Sequence, residues 1–407
     1  MTELRPLSGE TPAPPTARPT WEVFVRVIDN RGDAGVGWRL ARHLALRGQR
    51  VRLWIDDEGA LQGMADETDR SLLIRGAIEV HAWPLDTAPF DLAPETVAVV
   101  EAFGCTLPEG VLTALGACAT ARPGATPVWI NLEYLSAERY VERSHRLPSP
   151  RNSGPAAGCV TWFFYPGFTD RTGGLLLQAD PGVHPQAPPR EPVRRGEAEP
   201  TAPLRVSRFD YGPPGAPVWL AHWAESIARK SPGTRLLCLE PGAPDGAQAR
   251  RSPDDAPGSP SLQRMAVPWL TQSGYDSLLA SCDLNIVRGE DSFVRAQWAG
   301  RPLIWQAYPQ HDGAHAIKLE AWLDAYLEGC DPSLASIVRE VHWLWNGLDR
   351  RLARETTGLA ALDREALDRW AEHARRWRDA LGARPDLANA LIAFVAGRRP
   401  SGLPIGT

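Results

Sequence analysis

Residues 27–40, VIDNRGDAGVGWRL, decide the fold because they join a predicted strand to a predicted helix through a glycine-containing loop. The apolar residues before the loop, 23–28, alternate as in a β-strand, and residues 36–46 after it have the spacing of a helix. A glycine turn and a second predicted strand, 51–55, come next. A loop between a first strand and a first helix usually holds a phosphate at the helix N-terminus.

Two carboxylates occupy this loop, which is unusual for a phosphate site. Asp29 ends the first predicted strand, and Asp33 lies just before the first predicted helix. Because a carboxylate repels a phosphate, an anion does not suit this loop, whereas a cation does. Asp33 is also suited to cap the helix, whereas Gly32 and Gly35 leave room for a ligand near the backbone. Asp33 as a helix cap and Asp33 as a ligand-binding residue both stay open.

Strands and helices alternate through both halves of the chain, a pattern that predicts parallel sheets covered by helices. Further strands of the first half are predicted at 78–83, 97–100 and 128–131, with helices at 110–115 and 136–144. The second half has predicted strands at 204–208, 235–239, 264–267, 284–287 and 302–305, and helices at 218–228, 275–280, 292–299 and 314–326. Two Rossmann-like domains leave a cleft at the carboxyl ends of their strands, where ligands bind.

The predicted fold class is α/β with the two-domain GT-B glycosyltransferase architecture. Periplasmic binding proteins share the layout but need export, and two-domain dehydrogenases need a G-x-G-x-x-G sequence after a strand, which this sequence lacks. The predicted units are a disordered lead-in at 1–20, an N-terminal domain at 21–180, a Pro-rich linker at 181–203, a C-terminal domain at 204–375, and a C-terminal helix within 376–407 that packs on the N-terminal domain. A low-complexity surface excursion is predicted at 240–261.

Composition excludes several functional classes. The 407-residue chain has a net charge of -5, 43% hydrophobic and 23% charged residues, which are ordinary values for a globular protein and argue against nucleic acid as the main partner. No apolar stretch reaches the roughly 20 residues of a membrane helix and no signal-peptide pattern is present, so we expect a cytoplasmic protein without membrane contact. Six scattered cysteines suit buried thiols, and 16 tryptophans fit a packed core or a stacking surface.

A second polar cluster, RGEDS at residues 288–292, has the layout of an anion site. A predicted strand ends at Val287, and a helix begins at Ser292. Helix N–H groups, the Ser292 hydroxyl and the Arg288 guanidinium all bind phosphate well. A cap formed by Asp291 or Ser292 is the structural alternative, but four polar residues in this turn exceed what a cap needs. The cluster therefore predicts the phosphate site that the first loop lacks.

Two further stretches contain side chains that bind ligands in other proteins. Trp269 and Tyr275, in VPWLTQSGYDSLL at residues 267–279, either stack on a nucleobase or belong to the core, and both roles stay open. His311 and His315, in HDGAH, have an i, i+4 spacing that can bind a metal ion. Because no acidic third ligand is evident and a glycine intervenes, a helix N-terminal segment is favoured and no metal site is expected.

Three stretches together resemble a known family: VIDNRGDAGVGWRLARHL at 27–44, FFYPGFTDRTGGLL at 163–176 and LNIVRGEDSFVRAQWAGRPLIWQAYPQ at 284–310. They are similar to the EarP family, the bacterial arginine rhamnosyltransferases of elongation factor P. The resemblance extends from about Glu22 to the C-terminal helices, and its RGEDSFVRAQWAG block is long and confined to the family. The lead-in, the linker and the insert after Leu239 lie outside these stretches, so they affect linker length and not the chemistry.

The resemblance implies a GT-B enzyme that moves L-rhamnose from dTDP-β-L-rhamnose, with inversion, to a guanidine nitrogen of one arginine in elongation factor P. This modification would support translation of polyproline stretches. The nucleotide-sugar is then a substrate, with no cofactor and no metal ion, and it binds the C-terminal domain. The N-terminal domain of elongation factor P is the implied protein partner, and nucleic acid and membranes are not expected partners.

The expected site residues also follow from the resemblance. Asp33 is the expected base, Asp29 is its orienting partner, and Glu290 is expected on sugar hydroxyls or on the acceptor arginine. A guanidinium has a pKa above ~12, so a carboxylate accepts its proton late, when the nitrogen becomes acidic as it bonds to the sugar. The residues expected to bind the donor are Tyr211, Trp269, Tyr275, Arg288, Gly289, Asp291 and Ser292.

Two other functional classes stay open at this point. One is a different GT-B enzyme, such as a small-molecule glycosyltransferase or a nucleotide-sugar epimerase, which uridine preference and a small acceptor would support. The other is a non-catalytic protein that binds a translation factor through a decayed cleft. The carboxylates in both loops argue against decay.

Overall fold

The computed structural model describes residues 18–29, 31–177, 202–213, 215–243, 261–310, 312–348 and 357–399. The predicted lead-in, linker and low-complexity excursion lie largely outside these residues. The described chain forms two α/β domains, each built on a mainly or fully parallel sheet, as the alternation of strands and helices predicts.

The N-terminal sheet has seven strands in the order β3-β2-β1-β4-β5-β7-β6. They are β1 Thr20–Val25, β2 Arg50–Ile55, β3 Ile78–Ala82, β4 Thr96–Ala102, β5 Val128–Leu132, β6 Pro148–Pro150 and β7 Val160–Phe164. Neighbours pair in parallel except for β6 and β7, which are antiparallel. The sequence analysis predicts neither β6 nor β7. Strand β6 has only three residues, two of them prolines, and carries no alternating pattern.

The helices of this domain are α1 Arg31–Leu46, α2 Glu67–Ile74, α3 Glu109–Ala121 and α4 Tyr140–Ser144. The predicted start of α1 at residue 36 is wrong, because Gly32, Gly35 and Gly37 weaken the helical signal of its first turns. Asp33 therefore lies inside the first turn of α1 and not before the helix. A Cβ atom on Gly37 would lie 2.6 Å from a methyl carbon of Val25, so this glycine lets α1 pack closely on β1.

The C-terminal sheet has five parallel strands in the order β10-β9-β8-β11-β12. They are β8 Leu204–Arg208, β9 Leu236–Ala243, β10 Leu262–Pro268, β11 Leu284–Arg288 and β12 Leu303–Gln306. The helices are α5 Ala216–Lys230, α6 Gln272–Ser281, α7 Asp291–Ala299, α8 Ala314–Tyr326, α9 Pro332–Trp345 and α10 Thr357–Ala361. All five strands agree with the sequence-based prediction, although β9 continues to Ala243 into the predicted excursion.

Two further helices, α11 Arg364–Gly382 and α12 Leu387–Ala396, end the described chain. The helix α11 crosses the predicted boundary at residue 375 and contributes Trp370 to the C-terminal core. The helix α12 contributes Phe394 to the N-terminal core. Asp386 caps α12 by accepting a hydrogen bond from the Asn389 N–H, and it also pairs with Arg47 of α1 at 2.9 Å. The last two described helices therefore connect the two domains by packing on both cores.

Most of the tryptophans are buried in the cores of the two domains, whereas Trp269 is exposed, at 38%. All six cysteines are free thiols, and five of them are buried. None of the helices in the described ranges is long and apolar enough to cross a membrane.

Candidate active site between the two domains

The loop between β1 and α1 is held in shape by Asp33. One carboxylate oxygen of Asp33, Oδ2, accepts hydrogen bonds from the backbone N–H groups of Ile28 and Asp29, both at 2.9 Å. Asp33 is only 4% exposed. The helix-cap interpretation therefore needs correction, because the carboxylate binds N–H groups of the loop that precedes α1.

Asp29 connects the loop to the C-terminal domain. Its Oδ2 accepts a hydrogen bond of 2.6 Å from the hydroxyl of Tyr211. A Cβ atom at Gly32 or Gly289 would lie 2.7 Å or 2.6 Å from this oxygen, and Gly289 has a φ of +61°. The two glycines therefore leave the space that the carboxylate occupies. Burial raises the pKa of Asp29, although the bond from Tyr211 and the charge of Arg288 act to lower it.

The side chain of Asp29 does not orient Asp33 in the way that the sequence analysis predicts. The contact between them runs through the backbone N–H of Asp29, while the Asp29 carboxylate binds Tyr211 in the other domain. Asp29 is therefore positioned jointly by the two domains.

The RGEDS cluster spans the junction of β11 and α7, as predicted. Arg288 ends β11 and Asp291 begins α7, while Glu290, the residue before the helix, makes no capping hydrogen bond through its side chain. The Arg288 guanidinium lies over the rings of Phe209 and Tyr211, at 4.5 and 4.8 Å from their centroids. The start of α7 thus places helix N–H groups near a guanidinium, which is suitable geometry for an anion.

Asp291 has a partner that the sequence analysis does not predict. Its Oδ1 accepts a hydrogen bond of 2.7 Å from Nε of Arg39, which lies in α1 of the other domain. Arg39 also binds Asp276 of α6, and Asp276 binds Arg295 of α7. Burial acts to raise the pKa of Asp276, but Arg295 and Arg39 hold that pKa below its usual value. Asp291 is thus part of a buried ionic network across the domain interface.

A cavity of about 80 Å³, here called the donor cavity, lies next to the start of α7. Its lining residues are Asp29, Arg31, Gly32, Arg39 and Met64 from the N-terminal domain, and Phe209, Pro241, Trp269, Leu270, Gln272, Tyr275, Arg288, Asp291 and Ser292 from the C-terminal domain. The donor cavity therefore brings together Trp269, Tyr275, Arg288, Asp291 and Ser292, as predicted for one site.

Phe209 is a cavity residue that the sequence analysis misses. Its ring centroid lies 6.1 Å from that of Trp269 and 6.0 Å from that of Tyr275, in edge-on arrangements. Phe209 follows β8 directly and stands two positions before Tyr211, so a pair of aromatics at a strand end is the signal that points to it. Tyr275 lines the cavity and also packs on the C-terminal core, so its core role is observed and its stacking role stays a prediction.

A larger cavity of about 290 Å³, here called the acceptor cavity, adjoins the donor cavity at Asp29 and Gly32. Its lining residues are Ile28, Asp29, Gly32, Asp33, Tyr134, Leu135, Gly289, Glu290, Phe293, Trp305, Ala307, Tyr308, Gln310, His315 and Lys318. The three predicted catalytic carboxylates, Asp29, Asp33 and Glu290, therefore share one cavity. Tyr211 is absent from both linings, although its hydroxyl binds Asp29 at their boundary.

Glu290 has an unusual environment in this cavity. Its Oε2 accepts a hydrogen bond of 2.9 Å from the Leu135 N–H in the N-terminal domain. Burial raises the pKa of Glu290 to about 7, against the opposing effects of Lys318 and of the Leu135 bond. A carboxylate in this state accepts a proton or a cation readily near neutral pH.

Residues 21–396 match the family model described as "Elongation-Factor P (EF-P) rhamnosyltransferase EarP". The chain belongs to the EarP family. A protein-arginine rhamnosyltransferase of Pseudomonas aeruginosa is 38% identical over 395 residues, which cover 93% of this chain and 99% of that relative. A second, from Shewanella oneidensis, is 33% identical over 397 residues, which cover 92% of this chain and 97% of that relative.

A solved structure described as the structural basis for EarP-mediated arginine glycosylation of translation elongation factor EF-P is also similar. It has 27% sequence identity and a TM-score of 0.51, and the match covers 93% of this chain and 99% of that one. The predicted family and the GT-B fold are confirmed by these matches. The predicted enzyme class, protein-arginine rhamnosyltransferase, is confirmed as well.

The sequence analysis considers metal binding by the two histidines of the HDGAH segment. His311 lies outside the described residues, and His315 accepts a hydrogen bond from the Gln310 N–H at 3.2 Å. In the described part of the chain, no group of three or more His, Cys, Asp or Glu side chains could hold a metal ion. Metal-independent chemistry stays a prediction.

Proposed function

We propose that this EarP family member transfers L-rhamnose from dTDP-β-L-rhamnose to a guanidine nitrogen of one arginine in elongation factor P, with inversion and without a metal ion. The observation that carries the proposal is the adjoining pair of cavities. One contains aromatic rings and guanidinium groups, and the other contains three carboxylates. A nucleotide-sugar and an arginine side chain are the substrates that complement these two linings.

The donor cavity suits a nucleoside diphosphate. Phe209, Trp269 and Tyr275 offer ring faces and edges for a thymine base. Arg288 and the buried hydroxyl of Ser292 stand at the start of α7, where they can bind the diphosphate. As dTDP leaves, negative charge grows on its phosphate, so cationic and N–H groups fixed at this position lower the barrier.

The acceptor cavity suits a guanidinium. A carboxylate can bind a guanidinium through two parallel hydrogen bonds, and the cavity offers three carboxylates for this purpose. We assign Glu290 to binding the acceptor guanidinium, because its Leu135 bond fixes its position at the domain boundary. We assign Asp33 to the base, because it lines the cavity and its loop contacts use only Oδ2.

The reaction is a single displacement. A guanidine nitrogen attacks the anomeric carbon as the bond between that carbon and the dTDP oxygen breaks, so the configuration inverts. The attacking nitrogen becomes acidic as the new bond forms, and its proton passes to Asp33. The product arginine keeps one positive charge, and dTDP leaves with the electron pair of the broken bond. Asp29, at the boundary of the two cavities, interacts with the sugar hydroxyls or with the attacking group.

The acceptor is a protein surface, as expected for an arginine of elongation factor P. A single exposed carboxylate–guanidinium pair contributes only ~0–1 kcal/mol, which is too little to select one arginine. Ile28, Tyr134 and Tyr308 line the acceptor cavity and are 62%, 37% and 47% exposed, so they can contact the polypeptide around that arginine. Specific interfaces bury ~1,200–2,000 Å² in total, far more than one side chain provides.

The proposal places the enzyme in the cytoplasm, where elongation factor P acts, and gives it no nucleic-acid or membrane partner and no cofactor. Its effect on the cell is to support translation of polyproline stretches. A small-molecule GT-B enzyme and a non-catalytic binding protein are the alternatives that the experiment below excludes.

The test compares transfer rates from dTDP-β-L-rhamnose and from a UDP-sugar to three acceptors: intact elongation factor P, its isolated N-terminal domain, and a ten-residue peptide that spans the arginine. We expect the dTDP donor and the two folded acceptors to be strongly preferred. Equal efficiency on the peptide would contradict recognition of a protein surface. If none of the three acceptors is rhamnosylated, the proposed rhamnosyl transfer to elongation factor P is wrong.

A further inference from the structure

Arg31 reaches from the N-terminal domain into the donor cavity. It is the first residue of α1, and its guanidinium carbon lies 4.0 Å from the ring centroid of Trp269 in the C-terminal domain. Trp269 follows β10, and a Cβ atom on Gly242, near the end of β9, would lie 3.2 Å from its ring. Arg31 therefore covers the ring that the proposed function assigns to the nucleobase.

The charge of Arg31 is not neutralised by a direct ion pair. Among the described residues, neither Arg31 nor Arg288 forms a salt bridge with a carboxylate, although both guanidinium groups line the donor cavity. The two carboxylates of that cavity have other partners, since Asp291 binds Arg39 and Asp29 binds Tyr211. Two guanidinium groups without an ion pair among the described residues, one from each domain, thus face the same small space.

The donor cavity is too small for a nucleotide while Arg31 covers Trp269. Its volume is about 80 Å³, whereas pockets for small molecules usually have ~300–1,000 Å³. A base that stacks on Trp269 must therefore displace the Arg31 guanidinium from the ring. The displaced guanidinium stays tethered to the start of α1, close to Arg288 and to the start of α7, where the diphosphate is expected.

We propose that Arg31 is a donor-binding residue supplied by the N-terminal domain, which leaves the Trp269 ring when the base arrives and pairs with the diphosphate. This inference rests on the proposed function, because it takes the donor cavity as the site of a nucleoside diphosphate. Arg31 begins α1 two positions after Asp29, so donor binding also fixes the segment that carries an acceptor-side carboxylate.

The test measures the dissociation constants of dTDP and thymidine by calorimetry for the wild type, Arg31→Ala and Arg31→Lys. We expect Arg31→Ala to weaken dTDP binding at least ~10-fold, since a charge-assisted bond to phosphate is lost. Thymidine has no phosphate and competes with Arg31 for the Trp269 ring, so its affinity should stay the same or increase. Arg31→Lys keeps the charge and should retain most of the dTDP affinity.

Arg26→Ala is the matched control, because Arg26 lies in the loop that leads to Arg31 but stacks on Trp83, outside the donor cavity. It should leave both dissociation constants unchanged, and thermal melting should show that every variant is folded. Unchanged dTDP affinity in Arg31→Ala, or an equal loss for dTDP and thymidine, would overturn the role of Arg31 while leaving the proposed function intact. A wild-type protein that binds no dTDP would overturn both.

Discussion

Tyr211 in the C-terminal domain donates a hydrogen bond of 2.6 Å to the carboxylate of Asp29 in the N-terminal domain. This bond lies where the donor cavity and the acceptor cavity meet. Burial raises the pKa of Asp29 and also that of Tyr211, whose hydroxyl keeps its proton for the bond. The position of Asp29 therefore depends on closure of the two domains.

Tyr211→Phe should lower kcat about tenfold or more. The substitution removes the hydroxyl that binds Asp29 but keeps the ring that lies beside Arg288 and Tyr308. A hydrogen bond to a charged group contributes ~1.5–3 kcal/mol. Steady-state rates and the dTDP dissociation constant should be measured together, and the dissociation constant should change less than about threefold. An unchanged kcat would show that Asp29 needs no support from the C-terminal domain.

Asp33→Asn should abolish most of the turnover, by about 10²–10⁴-fold, because asparagine cannot accept the proton of the attacking nitrogen. Asp33 lines only the acceptor cavity, so dTDP binding should be nearly unchanged. Single-turnover rates and calorimetry with dTDP test the two expectations. Because Asp33 also binds the backbone of Ile28 and Asp29, a melting curve must show that the variant is folded. Turnover near the wild-type rate would reduce Asp33 to this structural role.

Transfer should lose efficiency below neutral pH through Glu290. Its pKa is raised from 4.5 to about 7 by burial, so the carboxylate becomes protonated below that pH and no longer attracts the acceptor guanidinium. We expect kcat/KM for the acceptor to reach a plateau above about pH 7 and to fall below it, while donor affinity changes less. A profile for the acceptor that is flat between pH 5.5 and 8 would contradict this role.

The carboxyl group of Glu290 makes the folded state less stable as the pH rises from 4.5 to about 7. In that window the folded protein retains a proton on Glu290 that the unfolded chain releases, so each pH unit costs up to ~1.4 kcal/mol. Glu290→Gln stays neutral in both states, so its melting temperature relative to that of the wild type should increase as the pH rises from 4.5 to about 7 and stay constant above that pH. Equal pH dependence of both melting temperatures would contradict the buried state of Glu290.

Arg39→Met should destabilise the interface between the domains. Arg39 is buried between Asp276 and Asp291, and removing one member of a buried ionic network usually costs ~3–5 kcal/mol. We expect the lower end, about 3 kcal/mol, because Arg295 still pairs with Asp276. The melting temperature should therefore fall by about 6 °C or more.

The control for Arg39→Met is Arg26→Met, since Arg26 is largely exposed and its nearest contact with Asp56 is 3.8 Å long. An exposed pair of this kind contributes ~0–1 kcal/mol, so the control should melt close to the wild type. If both variants melt alike, the Arg39 network does not hold the domains together.

The elements with strong periodicity could be predicted from the sequence, because periodicity is a local property. The strands β8 and β11 agree with prediction closely, as does the polar turn that precedes α7. The start of α1 could not be predicted, since Gly32 and Gly35 weaken the local helical signal. The domain boundary at residue 180 lies outside the described residues and stays a prediction.

The ionic network consists of contacts between residues far apart in the sequence, which local sequence patterns cannot predict. Arg39 and Asp276 are separated by 237 positions in the sequence, and only packing of α1 against α6 and α7 brings them together. The Tyr211–Asp29 bond spans 182 positions and depends on the same closure. The carboxylates could be selected by residue type and loop position, whereas their partners required the three-dimensional arrangement.

The most direct test of the central claim is the intact mass of elongation factor P after incubation with this protein and dTDP-β-L-rhamnose. We predict that the mass increases by a single deoxyhexosyl unit, that a fragment spectrum places this unit on one arginine, and that EDTA changes nothing. Elongation factor P with that arginine replaced by lysine should remain unmodified, as should the wild-type factor treated with the Asp33→Asn enzyme in the same time. An unchanged mass of elongation factor P in the presence of folded, dTDP-binding enzyme would contradict the account.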